Sequence, residues 1–364
     1  MTRQSDRGKD VRDPVSDEGE WFGSPRARIS YLPVPAPARG DVLELLPGLH
    51  WLRMPLPIDL DHINLWLLAD HDGWTLVDTG LDAAECRNVW LQLETSLLRE
   101  RPLSRILLTH CHPDHMGLAH WLADRHGAPV LMSRPEFASA RAFFEADPPD
   151  MESALEFFRQ HGAPDPQEFL PQVSGRGFRR MVSGIPSIAH HLADRDRIRV
   201  GRQDWDVLET GGHADGHCAL FDAARGVLIS GDQVLPTISS NVSLTPRTSL
   251  ADPLGTFLDS LERLGALASD TLVLPSHGRP FRGLADRTRD LIAHHRQQLE
   301  ALVGACAEPR SAWELLPTLF RRELRGLHRL LGLGETIAHA EYLARRGRLV
   351  RQPTPAGIIR YAAA

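Results

Sequence analysis

Short apolar runs alternate with glycine- and proline-bearing breaks through residues 41–133. Val42–Leu46 and residues 50–53 read as strands parted by Pro47 and Gly48. Residues 64–68 and Trp74–Val77 flank the turn His71-Asp72-Gly73, the pattern of a hairpin. A helical stretch follows over about 83–99. Then come a strand at 106–108, a helix at 116–126 and a strand at 130–132. Strands alternating with helices predict a mixed α/β core.

From about 134 to 194 the apolar positions take helical spacing, broken by prolines and glycines, which predicts a helical insertion. Phe143, Phe144, Phe157, Phe158, Phe169 and Met181 give it an apolar face, expected to pack on the main domain rather than on a substrate. Strands return at 197–200 and 205–208, and 219–221 with 227–229 form a second hairpin. A helix at about 253–267 and a strand at 272–274 complete a second half resembling the first. Beyond Gly283 a helix through about Gly304 is expected to cover one side of the core.

The last stretch opens at Ser311 with Glu314 at the capping-box spacing. A helix at 336–346 and two short strands around a Pro-Gly turn follow, which suggests a winged-helix-like module. Residues 1–40 are charged and rich in Pro, Gly and Ser, and read as a disordered or loosely packed leader. The expected divisions are therefore 1–40, a main domain at 41–283, a covering helix at 284–310 and the module at 311–364.

Bulk composition changes this picture little. The 364 residues are 42% hydrophobic and 24% charged, an ordinary globular balance with a sizeable core. A net charge of −6 disfavours a dedicated nucleic-acid binder. The tail arginines Arg321, Arg322, Arg325, Arg345, Arg346 and Arg348 raise a DNA reading, but scattered surface arginines are usually solvated. No run approaches the ~18 apolar residues of a membrane helix. Cys86, Cys111, Cys218 and Cys306 form no CxxC pair, which fits a reducing compartment, so a cytoplasmic protein is expected.

Chemistry concentrates in Thr109-His110-Cys111-His112-Pro113-Asp114-His115, directly after the strand at 106–108. Three imidazoles and a carboxylate at a strand end suit Zn, Fe or Mn. Four ligands so close in sequence do not all wrap one tetrahedral centre comfortably, which leaves room for two ions. Cys111 alternates away from its neighbours in an extended segment and reads as a buried bystander. Three later strand ends complete the pattern. Thr210-Gly-Gly-His213-Ala-Asp-Gly-His217, Ser230-Gly231-Asp232 and Leu274-Pro-Ser-His277-Gly278 each deliver a His or Asp beside Gly or Pro. Their convergence on one edge of the core is expected.

Over about 41–283 the motif HxHxDH, followed in order by His213, Asp232 and His277, resembles the metallo-β-lactamase-fold superfamily. The resemblance implies an αββα sandwich of class α/β. It implies that His110, His112 and His213 hold one divalent ion, that Asp114, His115 and His277 hold a second, and that Asp232 bridges them. The ions would be zinc, with Fe or Mn as alternatives, and a metal-bridging hydroxide would be the nucleophile, with Asp114 orienting it or carrying a proton. Asp78, at a VDTG-type strand end, would hold the metal loop from behind or serve the turn itself. His217 matches a second histidine of that glycine-rich turn, where hydrogen bonding within the loop is expected. The stretch 236–243, just beyond Asp232, is expected at the pocket mouth, where Ser240 and Asn241 are candidates for substrate contact, with a role in the loop's own structure the favoured reading.

Departures narrow the chemistry. Asp232 stands where class B1 β-lactamases carry cysteine, and the first motif lacks the HxExD pattern of flavodiiron proteins. The only tyrosines are Tyr31, Tyr342 and Tyr361, so the lactonase tyrosine has no counterpart in the core. The ligands match those of glyoxalase II, whose glutathione-contacting residues have no place here, and the tail, at 311–315 and 340–347, resembles the subfamily of lactamase-β-like protein 2 and fungal polyketide thioesterases. The expectation is a binuclear hydrolase of a small-molecule thioester, such as an acyl thioester, or ester. Lactone or aryl-halide hydrolysis, a mononuclear iron persulfide dioxygenase, and a nucleic-acid binder or nuclease are the alternatives. An oligomer is possible on sequence grounds.

Overall fold

The computed structural model describes residues 28–57, 60–145, 148–168 and 175–364. A two-residue strand, β1 (Ser30–Tyr31), precedes the first sheet. That sheet holds β2 (Val42–Leu46), β3 (Leu49–Pro55), β4 (His62–Ala69), β5 (Trp74–Val77), β6 (Leu103–Leu107), β7 (Val130–Ser133) and β8 (Ile188–Leu192), paired in that order. The second sheet runs from β9 (Arg197–Val200) through β10 (Gln203–Glu209), β11 (Cys218–Asp222), β12 (Val227–Gly231), β13 (Leu272–Pro275) and β14 (Phe281–Arg282) to β1 at its edge.

Alternation along the strands explains the layers. Leu49, Trp51, Trp66, Leu68 and Val77 meet Trp205, Val207, Leu220, Ile229 and Leu274 in the space between the sheets. Trp51 and Trp66 are cross-strand partners and stack at 6.1 Å. Leu52, Met54, Leu65, Leu67 and Leu76 point the other way, under α1 (Ala84–Glu94), a short α2 (Leu97–Glu100), α3 (Pro113–Met116) and α4 (Ala119–His126). Both faces are covered, so strands such as β4 read as unbroken apolar runs. On the outer face of the second sheet, Leu228 and Val273 pack with α8 (Pro253–Gly265) and α9 (Leu284–Ala305). The result is the αββα sandwich.

Between β7 and β8 lie α5 (Arg134–Glu145), α6 (Pro148–Gln160) and α7 (Gly175–Arg179). Phe143 and Phe144 pack on the first layer, while Phe157 and Phe158 pack on the last. Phe169 lies outside the described residues. The stretch expected to be helical ends instead in β8, parallel to β7. An edge strand needs one partner only, and His190 faces solvent, so β8 carries no strong apolar alternation.

The helix expected at 83–99 breaks between Glu94 and Leu97, and that expected at 116–126 breaks at Gly117. Of the leader expected at 1–40, residues 1–27 lie outside the described residues, but Ser30 and Tyr31 pair with Arg282 and Phe281. Arg279 donates to the carbonyls of Leu32 and Val34, tying that stretch down further.

The tail holds α10 (Ala312–Leu319), α11 (Gly326–Arg345) and the antiparallel pair β15 (Leu349–Pro353) and β16 (Ile359–Ala363). Helix α11 starts ten residues before the expected 336. Gly332 and Gly334 conceal its first half in the sequence, and each is needed for a close approach: a Cβ would stand 2.4 Å from Leu324 Cδ1 and 2.7 Å from Ser243 Oγ. Leu315, Leu330, Leu333, Ile337 and Tyr361 belong to one apolar cluster with Phe257 of α8 and Leu284 and Leu302 of α9. Among the described residues, no helix is long and apolar enough to cross a membrane.

Candidate metal centre

Strands β5 and β6 run parallel, as do β12 and β13, so the loops after them leave one edge of the sandwich. There the structure brings together all seven residues singled out as ligands. Donor atoms of His110, His112, His213 and Asp232 lie within 4.8 Å of one another, and so do those of Asp114, His115 and His277. Asp232 stands between the two groups. Its Oδ2 is 3.5 Å from His213 Nε2, and its Oδ1 is 3.4 Å from His115 Nε2 and 3.5 Å from His277 Nε2. Asp114 Oδ2 lies 3.4 Å from His277 Nε2 and 3.6 Å from His115 Nε2.

The back of each ring is already committed. His115 Nδ1 donates to Asp78 Oδ2 at 2.8 Å, His213 Nδ1 to the Asn241 carbonyl at 2.7 Å, and His277 Nδ1 to the His62 carbonyl at 2.8 Å. Thr109 Oγ1 donates to Asp78 Oδ2 and therefore accepts from His110 Nδ1 at 3.0 Å. Fixing the proton on Nδ1 leaves each Nε2 lone pair aimed at the centre. His112 presents Nδ1 instead, 2.8 Å from His110 Nε2 and 3.1 Å from His213 Nε2.

The donor set fits divalent ions on a direct observation. His115 Nε2, His277 Nε2 and Asp232 Oδ1 are buried without a hydrogen-bond partner among the described residues, and all three face the same point. Buried polar atoms left unpaired cost about 1–3 kcal/mol each, so three together call for a cation. Electrostatics divides the two groups. Burial holds His112 down at about 3, and it also lowers His110 and His213, with neighbouring imidazoles adding to the effect on His110 and His112. Burial opposes charge on His115 and His277 too, but the Asp232 and Asp114 carboxylates outweigh it and raise both. Against the same burial, His115 and His277 hold Asp114 down at about 2.

Asp78 sits in the left-handed region, φ +60°. That conformation is costly for a residue with a Cβ. It is held by the bond from its N–H to the Leu107 carbonyl, and the carboxylate takes the Thr109 N–H, the Thr109 hydroxyl and His115. His217 is fully buried with both nitrogens engaged. Its Nδ1 lies 2.8 Å from Thr210 Oγ1, and its Nε2 accepts the Asp232 N–H at 3.2 Å. Ser240 Oγ donates to the Asp232 carbonyl, and Asn241 Nδ2 donates to Glu335 Oε2 at 2.8 Å. Both side chains expected at the pocket mouth are thus bonded to the protein behind the site. Cys111 and Cys218 are buried and belong to neither donor group.

Four supporting residues escape a reading by motif. Glu136, fully buried on α5, accepts the N–H groups of Cys111 and Gly216 and so joins the first histidine loop to the His213 loop. His62 supplies the carbonyl for His277 and accepts the Gly278 N–H on its Nε2. Asn64 donates to the carbonyls of Pro275 and Gly278. Glu335 holds Asn241, and its carboxyl is pushed up to about 8 by burial, which the Asn241 bond only partly offsets. His62 and Asn64 interrupt the apolar pattern of β4, the one signal the sequence carries for them, and Glu136 and Glu335, near Arg134 and Thr336, carry none.

Known proteins match this arrangement. The family model of the metallo-beta-lactamase superfamily matches residues 58–277, and that of the metallo-beta-lactamase-like C-terminal domain matches 299–364. The solved structure of a beta-lactamase domain protein from Burkholderia ambifaria is similar with a TM-score of 0.84 and 41% identity, covering 92% of this chain and 97% of that one. A probable metallo-hydrolase of Bacillus subtilis (strain 168) is 27% identical over 311 residues, 80% of this chain and 91% of its own. An acyl-coenzyme A thioesterase of Bos taurus is 28% identical over 247 residues, 64% of this chain and 79% of its own.

Proposed function

This chain is a metal-dependent hydrolase belonging to the metallo-β-lactamase superfamily, and we propose that the bond it cleaves is a thioester or ester of a small acyl substrate. The observation that carries the proposal is the pair of donor groups with Asp232 between them, each backed by protein hydrogen bonds. Two divalent ions held by those groups, zinc in the first instance, would lower the pKa of water and polarise a carbonyl oxygen.

The chain's own residues supply the rest. Asp78, the Asn241 carbonyl and the His62 carbonyl hold the rings in one tautomer and orientation. Asp114 is the more open of the two site carboxylates, its side chain 19% exposed against 11% for Asp232. It orients the attacking water and passes that water's proton to the departing thiol or alcohol, so that hydrolysis yields a carboxylic acid and a protonated leaving group. The thioester class is supported by the similarity to the Bos taurus thioesterase, whose match extends over most of its own length.

Zinc-loaded protein is expected to turn over at least one member of a panel of acyl-CoA, glutathione and aryl esters, and His112→Ala is expected to abolish that turnover. Asp114→Asn should lower kcat about 10²–10⁴-fold, the range for loss of a proton-transfer group. A panel with no turnover sensitive to His112→Ala overturns the reading. Purification with one iron per chain and sulfite as product overturns it in favour of persulfide oxidation.

A further inference from the structure

A second set of buried metal-ligating side chains lies behind the catalytic edge, where α9 meets α11. His295 comes from α9; Glu335 and His339 are one helical turn apart on α11 and so share a face. Their donor atoms lie within 4.8 Å of one another, and both histidines are fully buried. None of the three is a donor in the centre described above.

Three features point to a cation. His295 Nδ1 and His339 Nε2 are 3.1 Å apart, the separation found between His112 and His213 in the catalytic centre. Nitrogens bound to zinc at about 2.0–2.1 Å on a tetrahedron stand about 3.4 Å apart, so little movement is needed. The far side of each ring is held as in the catalytic centre: His339 Nδ1 donates to the Glu335 carbonyl at 2.8 Å, and His295 Nε2 lies 3.1 Å from Ser239 Oγ. Glu335 bonds Asn241 but has no ion-pair partner among the described residues. A hydrogen bond between the two rings also accounts for their distance, so the inference is carried by the donor set as a whole, two imidazoles and a carboxyl group gathered in one buried place.

We propose that His295, Glu335 and His339 form a third metal site, suited to Zn²⁺ or a similar divalent ion, that pins α11 to α9. Through the Glu335–Asn241 bond the site braces the carbonyl that orients His213. The proposal does not depend on which bond the enzyme cleaves.

Co²⁺ titration of chelator-stripped full-length protein tests it, read by metal stoichiometry and by the visible absorption of bound Co²⁺. Wild type is expected to take three equivalents and His339→Gln two. Glu335→Gln preserves the shape and an acceptor for Asn241, so it decides the matter if His339→Gln fails to fold; its third equivalent should bind at least tenfold more weakly. Two equivalents in wild type overturn the proposal, and so does a third equivalent that neither substitution weakens.

Discussion

Asp78 shows how much of this site depends on residues that never reach the centre. One carboxylate takes the Thr109 N–H, the Thr109 hydroxyl and His115 Nδ1, and so sets the aim of two histidines. Asp78→Asn puts an N–H where one of these donors points. Metal affinity should fall about 10–100-fold in competition with a chromogenic chelator, the usual cost of losing such a partner. Gly231 is a second case. Its φ is +53°, and a Cβ there would stand 2.2 Å from His217 Nε2, the atom that accepts the Asp232 N–H. Gly231→Ala should lower the melting temperature of the metal-free protein and weaken metal binding together; loss of one without the other would contradict this clamp. The seven candidate ligands were legible because His and Asp recur beside Gly and Pro at strand ends. Glu136, His62, Asn64 and Glu335 were not, because their partners lie 25 to 216 residues away.

Individual elements carry their own signals where the physics is local. Ser311 caps α10 in a full capping box: its hydroxyl accepts the Glu314 N–H, and Glu314 accepts the Ser311 N–H. Ser311→Ala should cost about 1 kcal/mol, read as a lower urea midpoint at unchanged slope. At the end of α6, His161 is buried beside Tyr361 of β16, and burial holds it down at about 4, with Arg351 contributing. The folded state keeps His161 neutral while the unfolded chain protonates it near 6.5. The unfolded state therefore binds more protons between those values, and stability is lost as pH falls from about 6.5 to about 4. Wild type should lose more melting temperature across that window than His161→Gln does; equal losses would remove His161 from the account. Where an element depends on its neighbours, the sequence misleads. The edge strand β8 hides because one pairing partner suffices, and α11 hides behind glycines that its packing against Leu324 and Ser243 requires.

Across the whole molecule, the tail and the main domain share one apolar cluster in which Leu333, Ile337 and Tyr361 meet Phe257 and Leu302. Two of the tail arginines are held by the main part of the chain: Arg346 pairs with Asp252 at 2.7 Å and Arg348 with Glu300 at 2.6 Å. Deleting 311–364 should therefore expose that cluster and remove Glu335 from Asn241. The expected product is insoluble or melts well below the full chain, and it binds metal less tightly. A truncation that keeps the parent melting temperature would show the tail to be a separable unit. The sequence by itself determined a mixed α/β core, through strand runs alternating with helical stretches, and the seven candidate ligands, through His and Asp at strand ends in a motif whose family resemblance implies the αββα sandwich. Tertiary structure alone decided which ring nitrogen faces the centre and that the Ser240 and Asn241 side chains bond to the protein. It also decided that His295, Glu335 and His339 meet. The physical reason is common to all of these. Ligand chemistry resides in a single side chain, whereas orientation and countercharge arise only when loops and helices far apart in the chain are packed against one another.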